Sequence, residues 1–417
     1  MRTYILIARH LGKVSGEKIY CHNKMAYLLS RGWRVLFVSC KEETVDVPDG
    51  SHYSHFVFPA LAYAPECYSR REVRRTVEGI VRAVGDLGGG ECVIESDSLN
   101  RAVWAEMVAR RLNAVHLAFF LQERHHYDEE ARRYLMFKYG RHELASITAK
   151  SINLILGDGV AARDDTKIKA FCNNCVRPCE DPVSGQLPQG AKYTFGSIGR
   201  LDKGCAPAIL EGFKSFAALH PDEKINVVLI GGATGRNRVR QLRRLVKGCG
   251  NIHLTITGYL FPIPESLIEK IDLFVSTAGS TSCTYRFHRP TVRVHPVTGD
   301  PVGIVGLDDL TGKTMYDPMP GATIPGTIQR ALSRASDIVY IYNRFEDYDE
   351  AMRREFDRQL GLAAAVRDRG YYDEGLLMRI RTTHIKGHAW HRLVGRLFGA
   401  RALNLLVGLF KAVTGGV

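Results

Sequence analysis

The chain has 417 residues, more than one typical domain holds, so its length suggests two or three domains. Hydrophobic residues make up 45% and charged residues 24%, a balance that excludes a disordered or fibrous chain and permits buried cores. The net charge of +13 favours an anionic partner such as a nucleotide, a polyphosphate-linked substrate or lipid headgroups. No basic stretch is interleaved with aromatics, so nucleic acid is not an expected partner. The apolar run inside MRTYILIARHLG is about five residues long, which suits a strand and not a secretory leader. No stretch approaches the roughly 20 apolar residues that a membrane span requires. The ten cysteines are scattered, which suits a reducing, cytoplasmic setting better than a disulfide framework.

Thr3–Ala8 reads as a strand, followed by a loop with Gly12 and Gly16. A helix-length segment runs from about Glu17 to Ser30, with Ile19, Met25, Ala26, Leu28 and Leu29 near helical spacing. Arg34–Cys40 is a second strand, which completes a βαβ unit with parallel strands. His55–Phe58 is a short strand and Tyr68–Leu87 a basic helix. Cys92–Glu95 is a strand, Leu99–Leu112 a helix and Val115–Phe120 a strand. A long polar helix then runs to about Lys150, followed by a strand at Ile152–Leu156. Such alternation predicts an open parallel sheet with helices on both faces, binding ligands beyond the C-terminal strand ends. Those ends carry Arg9–Gly16, Glu95–Asp97 and Gln122–His126.

Cys172–Gly190 is rich in Pro, Gly, Asn and Cys and reads as a linker. Cys172, Cys175 and Cys179 lack a fourth ligand at metal spacing, so no metal site is expected. The alternation then restarts. Tyr193–Ile198 is a strand leading into Gly199–Gly204, followed by a helix at Pro207–Leu219 and a strand at Ile225–Ile230. A helix at Arg236–Lys247 and a strand at Ile252–Thr257 lead to Gly258 and Tyr259. Asp272–Pro296 (DLFVSTAGSTSCTYRFHRPTVRVHP) reads as a strand, a Gly-Ser-Thr turn, a short helix and a second strand at Thr291–Val294. The helix start offers unpaired backbone N–H groups and hydroxyls, which attract phosphate; an ordinary capped helix looks the same in sequence. The expected architecture is α/β: two Rossmann-like parallel-sheet domains facing an interdomain cleft, over 1–171 and 192–335. A linker (172–191) joins them, and a helical extension (336–417) ends in a basic amphipathic tail.

Five pieces carry a resemblance: SGEKIYCHNKMAYLLSRGWRVLFVS, SIGRLDKG, INVVLIGG, HLTITGYL and DLFVSTAGSTSC with RPTVRVHP. In this order and at these distances they resemble the GT-B-fold glycosyltransferases, mainly glycosyltransferase family 4, over residues 3–335. The last piece looks more like the segment found in related lipid-acceptor transferases. Two departures stand out. No acidic residue occurs between Asp272 and Asp300, where the family has two glutamates, and Cys205 stands where its lysine falls.

The resemblance implies a nucleotide-sugar donor as co-substrate, with no separate cofactor. The diphosphate leaving group gains negative charge as the glycosidic bond breaks, so cations and backbone donors already in place lower the barrier. Gly16, Arg200, Lys203 and the turn Gly279, Ser280, Thr281 and Ser282 are the candidate diphosphate contacts. Gly258 and Tyr259 are the candidate nucleobase contacts. For the acceptor hydroxyl, Glu123 and His125 are the candidate general bases, with His10 a weaker one. Glu95-Ser96-Asp97 is a poor metal motif, and equally a cap for the helix that follows.

Past Glu374 the chain has no acidic residue but carries seven Lys or Arg. Within Trp390–Val413 these mix with Leu, Val and Phe, and the apolar face rotates after Gly399. Two short amphipathic pieces fit better than one long helix. Residues 389–413 thus read as a surface for anionic membrane, at the inner face of the plasma membrane. A helix packed back on the body is the alternative. The function expected is transfer of a sugar to a glycan, lipid-linked by the charge of the tail, in envelope or exopolysaccharide synthesis. A sugar-nucleotide epimerase of the same fold, or a degenerate glycan- or partner-binding protein, are the alternatives.

Overall fold

The structure, a computed structural model, describes residues 2–9, 15–42, 53–121, 127–157, 160, 163–168, 175–233, 236–311, 313–340, 345–366, 368–381 and 388–413. The chain divides into two compact units. One comprises residues 1–12, 16–172 and 352–417, the other residues 13–15 and 173–351.

The first unit runs β1 (Thr3–Ile7), α1 (Gly16–Ser30), β2 (Arg34–Ser39), β3 (Ser54–Val57), α2 (Arg70–Val84), β4 (Cys92–Ser96), α3 (Leu99–Leu112), β5 (Val115–Phe120), α4 (Glu129–Gly140), β6 (Leu144–Ser146) and α5 (Ala149–Leu156). Its six strands are all parallel, in the order β3-β2-β1-β4-β5-β6. Both faces of this sheet are covered. Ile5, Ile7, Leu36 and Val38 enter one core, and Tyr4, Leu6, Val35 and Phe37 the other. This period of two, with both sets buried, explains why the strands read as unbroken apolar runs.

The second unit contains β7 (Val176–Arg177), β8 (Tyr193–Ile198), α6 (Cys205–Leu219), β9 (Ile225–Ile230), α7 (Arg236–Leu245), β10 (Ile252–Ile256), β11 (Ile263–Pro264), α8 (Glu265–Glu269), β12 (Leu273–Ser276), α9 (Gly279–Tyr285), β13 (Thr291–Val294), β14 (Pro301–Ile304) and α10 (Ile324–Ser333). Its main sheet is ordered β10-β9-β8-β12-β13-β14, the same permutation as the first, except that β14 pairs antiparallel at the edge. The helices sit tightly on it: a Cβ at Gly212 of α6 would lie 2.4 Å from Ile324 of α10. Helix α11 (Phe345–Ala365) begins in this unit, and from Met352 its residues belong to the first unit, followed by α12 (Glu374–Leu377) and α13 (His388–Val413).

Three expectations change. Ile152–Leu156 is helix, not strand, and the strand is Leu144–Ser146. Thr148 caps α5, its side chain accepting from the Ser151 amide, and Ile152 and Ile155 are buried three residues apart, a helical spacing. Secondly, residues 352–417 do not stand apart as an extension. Gln359 and Phe356 of α11 pack on α1, where Gln359 bonds both Lys24 and Tyr20. Thirdly, α13 contains a segment, Ala389–Phe410, long and apolar enough by length and composition to cross a membrane, with mean hydropathy 1.5. It is broken at Gly399, whose φ of 78° and ψ of −177° are not helical. The break falls where the apolar face rotates in sequence.

Candidate functional site

In each sheet the strand order reverses between the first strand and its neighbour: between β1 and β4, and between β8 and β12. Neighbouring connections leave in opposite directions there, which opens a crevice at the C-terminal strand ends where ligands of such sheets bind.

At the second unit's reversal, β8 leads into Gly199 and exposed Arg200. The following loop is held firmly. The Leu201 amide donates to Gly232, and the Arg238 guanidinium donates to the carbonyls of Leu201 (2.9 Å) and Lys203 (3.0 Å). Gly231 approaches so closely that a Cβ would fall 1.9 Å from the Gly199 carbonyl oxygen. The Arg200 carbonyl accepts from the Lys203 amide at 3.2 Å, but its side chain makes no hydrogen bond or ion pair among the described residues, which leaves its cation available. Cys205, where a lysine was looked for, is the buried first residue of α6 and offers no charge.

Across the reversal, the Ile198 amide donates to the Ser276 hydroxyl at 3.2 Å, so the two strand ends are locked side by side. The chain then turns through Ala278, at φ 54° and ψ −141°, into α9. A residue with a Cβ rarely adopts this conformation, and the cost is on the order of 1–3 kcal/mol. The hydroxyls of α9 do not act as expected. Ser280 donates to the Thr277 carbonyl (2.5 Å), Thr281 to that of Ala278 (2.7 Å), and Thr284 to that of Ser280 (3.3 Å). The protons of Ser280, Thr281 and Thr284 are used within the turn, and the Thr281 amide also donates to the Ala278 carbonyl at 3.1 Å, so among the described residues the donors left to a ligand here are the amides of Gly279 and Ser280 and the Ser282 hydroxyl. Gly258 follows β10 on the same edge, at φ 75°. The Tyr259 ring lies over Gly232, where a Cβ would meet it at 2.4 Å.

The first unit's reversal carries a carboxyl pair that the sequence reading did not join. Asp97, just after β4, accepts from the Arg9 amide at 3.2 Å and pairs with Arg101. Its side chain does not cap α3, whose cap position is Ser98. Glu17, in the first turn of α1, hydrogen-bonds Asp97. Burial and then the Asp97 charge push the Glu17 carboxyl up to about 8. Burial opposes ionisation of Asp97 as well, but Arg101, Glu17 and the Arg9 amide outweigh it and hold Asp97 below the usual carboxylate range. At neutral pH the pair holds one proton, on Glu17, facing an ionised Asp97. The available signal was Glu17 directly after Gly16 and an acid directly after a strand.

Other polar groups of the first unit are structural. Lys24 is fully buried, 3.5 Å from Glu95, and Tyr4 and Tyr20 also bond Glu95. Ser96, His116 and Glu106 are chained by contacts of 2.9 and 2.6 Å, with Lys138 3.0 Å from Glu106. The chain has the connectivity of a hydrolytic triad, but all its members are buried. His10, Gly12, Glu123 and His125 lie outside the described residues. Gly16 is the exposed first residue of α1. Among the described residues no three His, Cys, Asp or Glu gather as metal ligands.

No known family profile matches the sequence, and no curated protein matches it. Solved structures do match in fold. The Anabaena protein HepE, in complex with UDP and glucose, superposes with a TM-score of 0.60 at 13% identity, covering 88% of this chain and all of that one. A glycosyltransferase from Rickettsia africae gives 0.57 at 11% identity, over 91% and 96% of the two chains. A UDP-N-acetylglucosamine 2-epimerase gives 0.51 at 11% identity, over 89% of this chain and all of that one. The chain therefore has a GT-B-like α/β fold of two Rossmann-like sheets, an architecture common to nucleotide-sugar transferases and epimerases.

Proposed function

We propose that this chain is a nucleotide-sugar-dependent glycosyltransferase. The observation that carries the reading is the strand-order reversal of the second unit, where exposed Arg200 follows β8 and the first turn of α9 follows β12 at the C-terminal strand ends. In this reading the second unit holds the donor. Arg200, Lys203 and the turn Gly279, Ser280, Thr281 and Ser282 meet the diphosphate, and Gly258 and Tyr259 border the base. As the acceptor oxygen attacks the anomeric carbon, the nucleoside diphosphate leaves with increased charge, which Arg200 stabilises from a fixed position. The acceptor hydroxyl gives its proton to a general base. Glu123 and His125 remain the candidates.

The proposed acceptor is a lipid-linked glycan of the cell envelope, reached from a membrane surface. The support lies in α13, whose exposed side carries Trp390, Leu393, Leu397, Phe398, Leu405, Leu409 and Phe410 beside Arg396 and Arg401. This combination suits anionic lipid at the inner face of the plasma membrane. A second reading, sugar-nucleotide epimerase, is favoured by the same fold likeness and by the carboxyl pair, since epimerisation needs paired acids and bases.

One assay separates the readings. UDP-sugars and GDP-sugars are incubated with the protein, with and without membrane extract, and free nucleoside diphosphate and isomerised donor are measured. A transferase releases nucleoside diphosphate in an acceptor-dependent way, an epimerase isomerises the donor alone, and a binding protein does neither. Arg200→Ala should reduce turnover by at least about a hundredfold with little change in folding. Unchanged turnover would remove Arg200 from the site.

A further inference from the structure

Beyond the contacts named so far, two polar residues stand at the end of β13: Arg293 within it and His295 just after it. Val292 and Val294 enter the core of the second sheet, so Thr291 and Arg293 occupy the opposite face. Helix α9 covers that face, because the hydroxyls of Thr284 and Thr291 meet at 2.9 Å. One helical turn back from Thr284 lies Ser280, about 5.4 Å along the helix. Two residues on from Thr291 lies Arg293, about 6.6 Å along the strand in the same direction. Arg293 therefore sits at the level of the first turn of α9, and its register partner is Ser276, the last residue of β12.

Arg293 is partly buried, and burial alone pulls its guanidinium below the usual arginine range. No carboxylate offsets that cost. The side chain makes no hydrogen bond or ion pair among the described residues, and the sequence offers no acid between Asp272 and Asp300. A guanidinium without compensation at a strand end is costly unless an anion completes it.

His295, two residues further, is set differently. Its Nδ1 accepts from the amides of Val297 (3.3 Å) and Thr298 (3.1 Å). The Thr298 hydroxyl also lies 3.1 Å from this nitrogen; with Nδ1 accepting, the ring's donor is Nε2–H. Tyr316 packs edge-on against the ring at 5.6 Å, and the adjacent Met315 touches the Thr277 hydroxyl at 3.9 Å. With Nδ1 turned to its own loop, Nε2 lies on the opposite side of the ring.

We propose that Arg293 and the Nε2–H of His295 are a second, specificity-setting contact for the anionic diphosphate of the donor, two strands across the sheet from Arg200. The inference rests on the nucleotide-sugar reading above. Arg293 supplies charge and a planar pair of donors, which matches a phosphate edge, and His295 supplies a neutral donor.

The test is calorimetric titration of the full chain with UDP, GDP, UMP and inorganic pyrophosphate, comparing wild type with Arg293→Met, Arg293→Gln, His295→Phe and Arg200→Ala. Arg293→Met keeps the apolar stem, and Arg293→Gln serves if the first variant fails to fold. Both should weaken diphosphate and pyrophosphate binding at least about tenfold, as loss of a charged hydrogen bond does, and weaken UMP less. His295→Phe should weaken the same ligands by about threefold to tenfold. Wild-type affinity in the folded Arg293 variants, with loss in Arg200→Ala, overturns the inference and leaves the donor reading standing. Absence of nucleoside diphosphate binding in wild type overturns both.

Discussion

At the scale of single residues, the second unit concentrates strain and uncompensated charge in one place. Ala278 adopts a positive φ, yet the chain places alanine and not glycine there. Glycine removes the Cβ conflict and adds some freedom to the unfolded chain, and the first effect is the larger. Ala278→Gly should therefore raise stability by about 1 kcal/mol, seen as a melting temperature a few degrees higher. A lower melting temperature would show that the surroundings already absorb the conformation. The conformation itself was not legible in the sequence, where STAGST reads as an ordinary helix start. Arg200 was legible as a cation after a strand. The Glu17–Asp97 pair was not, because 80 positions separate its members and only the parallel pairing of β1 with β4 brings the neighbouring strand ends together.

At the scale of elements, α13 shows how one helix answers two demands. Its inner row docks on the first unit. A Cβ at Gly395 would meet the Cys67 carbonyl oxygen at 2.4 Å, the rings of His391 and Tyr63 lie 5.2 Å apart, and Asn404 donates to Pro59 at 2.9 Å. Val394, Ala400 and Leu403 are buried, whereas Leu397, Phe398 and Phe410 remain about two-thirds exposed, at 66%, 68% and 67%. The inner face is packed on the body, as one of the two sequence readings expected, and the exposed face is the one the proposed membrane docking would use. The bend at Gly399 lets the inner row keep contact after the apolar stripe has rotated. Leu397→Asp combined with Phe410→Asp should sharply reduce co-sedimentation with anionic liposomes at low salt, with an unchanged melting temperature. Equal sedimentation would reject membrane docking. Gly395→Val instead should detach the inner row and lower the melting temperature, since no side chain fits there.

At the scale of the whole molecule, the first sheet is tied together by buried ionic chains whose titration should set the acid limit of stability. Burial and then Lys138 push His116 down to about 4, despite its contact with Glu106. Burial and then Lys18 push His22 to about 4 as well. A histidine whose folded value is depressed contributes stability that is complete above its unfolded value near 6.5 and lost as pH falls towards 4. For His116 this is on the order of 3 kcal/mol. Burial opposes ionisation of Glu106, but Lys138 and His116 hold it well below the carboxylate range, so its contribution is complete above about pH 4.5 and declines progressively as pH falls below that. Glu17 runs the other way: its raised value means a contribution that declines as pH rises from 4.5 to about 8. In an E17Q background the urea midpoint should therefore fall continuously from pH 6.5 to 4. A flat midpoint over that range would contradict a buried neutral His116.

The sequence by itself determined the alternation of strands and helices and the division into two α/β units, because apolar runs and glycine breaks are local properties of the chain. It also determined the positive charge and the amphipathic breaks of the tail. Only the tertiary structure decided that Leu144–Ser146, and not Ile152–Leu156, completes the first sheet. A short apolar run has no periodicity of its own, and its partner strand chooses it. The tertiary structure likewise decided that residues beyond Met352 belong to the first unit, and that Arg293 carries its charge without a carboxylate beside Ser276. Strand order and register bring distant residues to one edge, and those are properties of pairing that no single stretch of sequence contains.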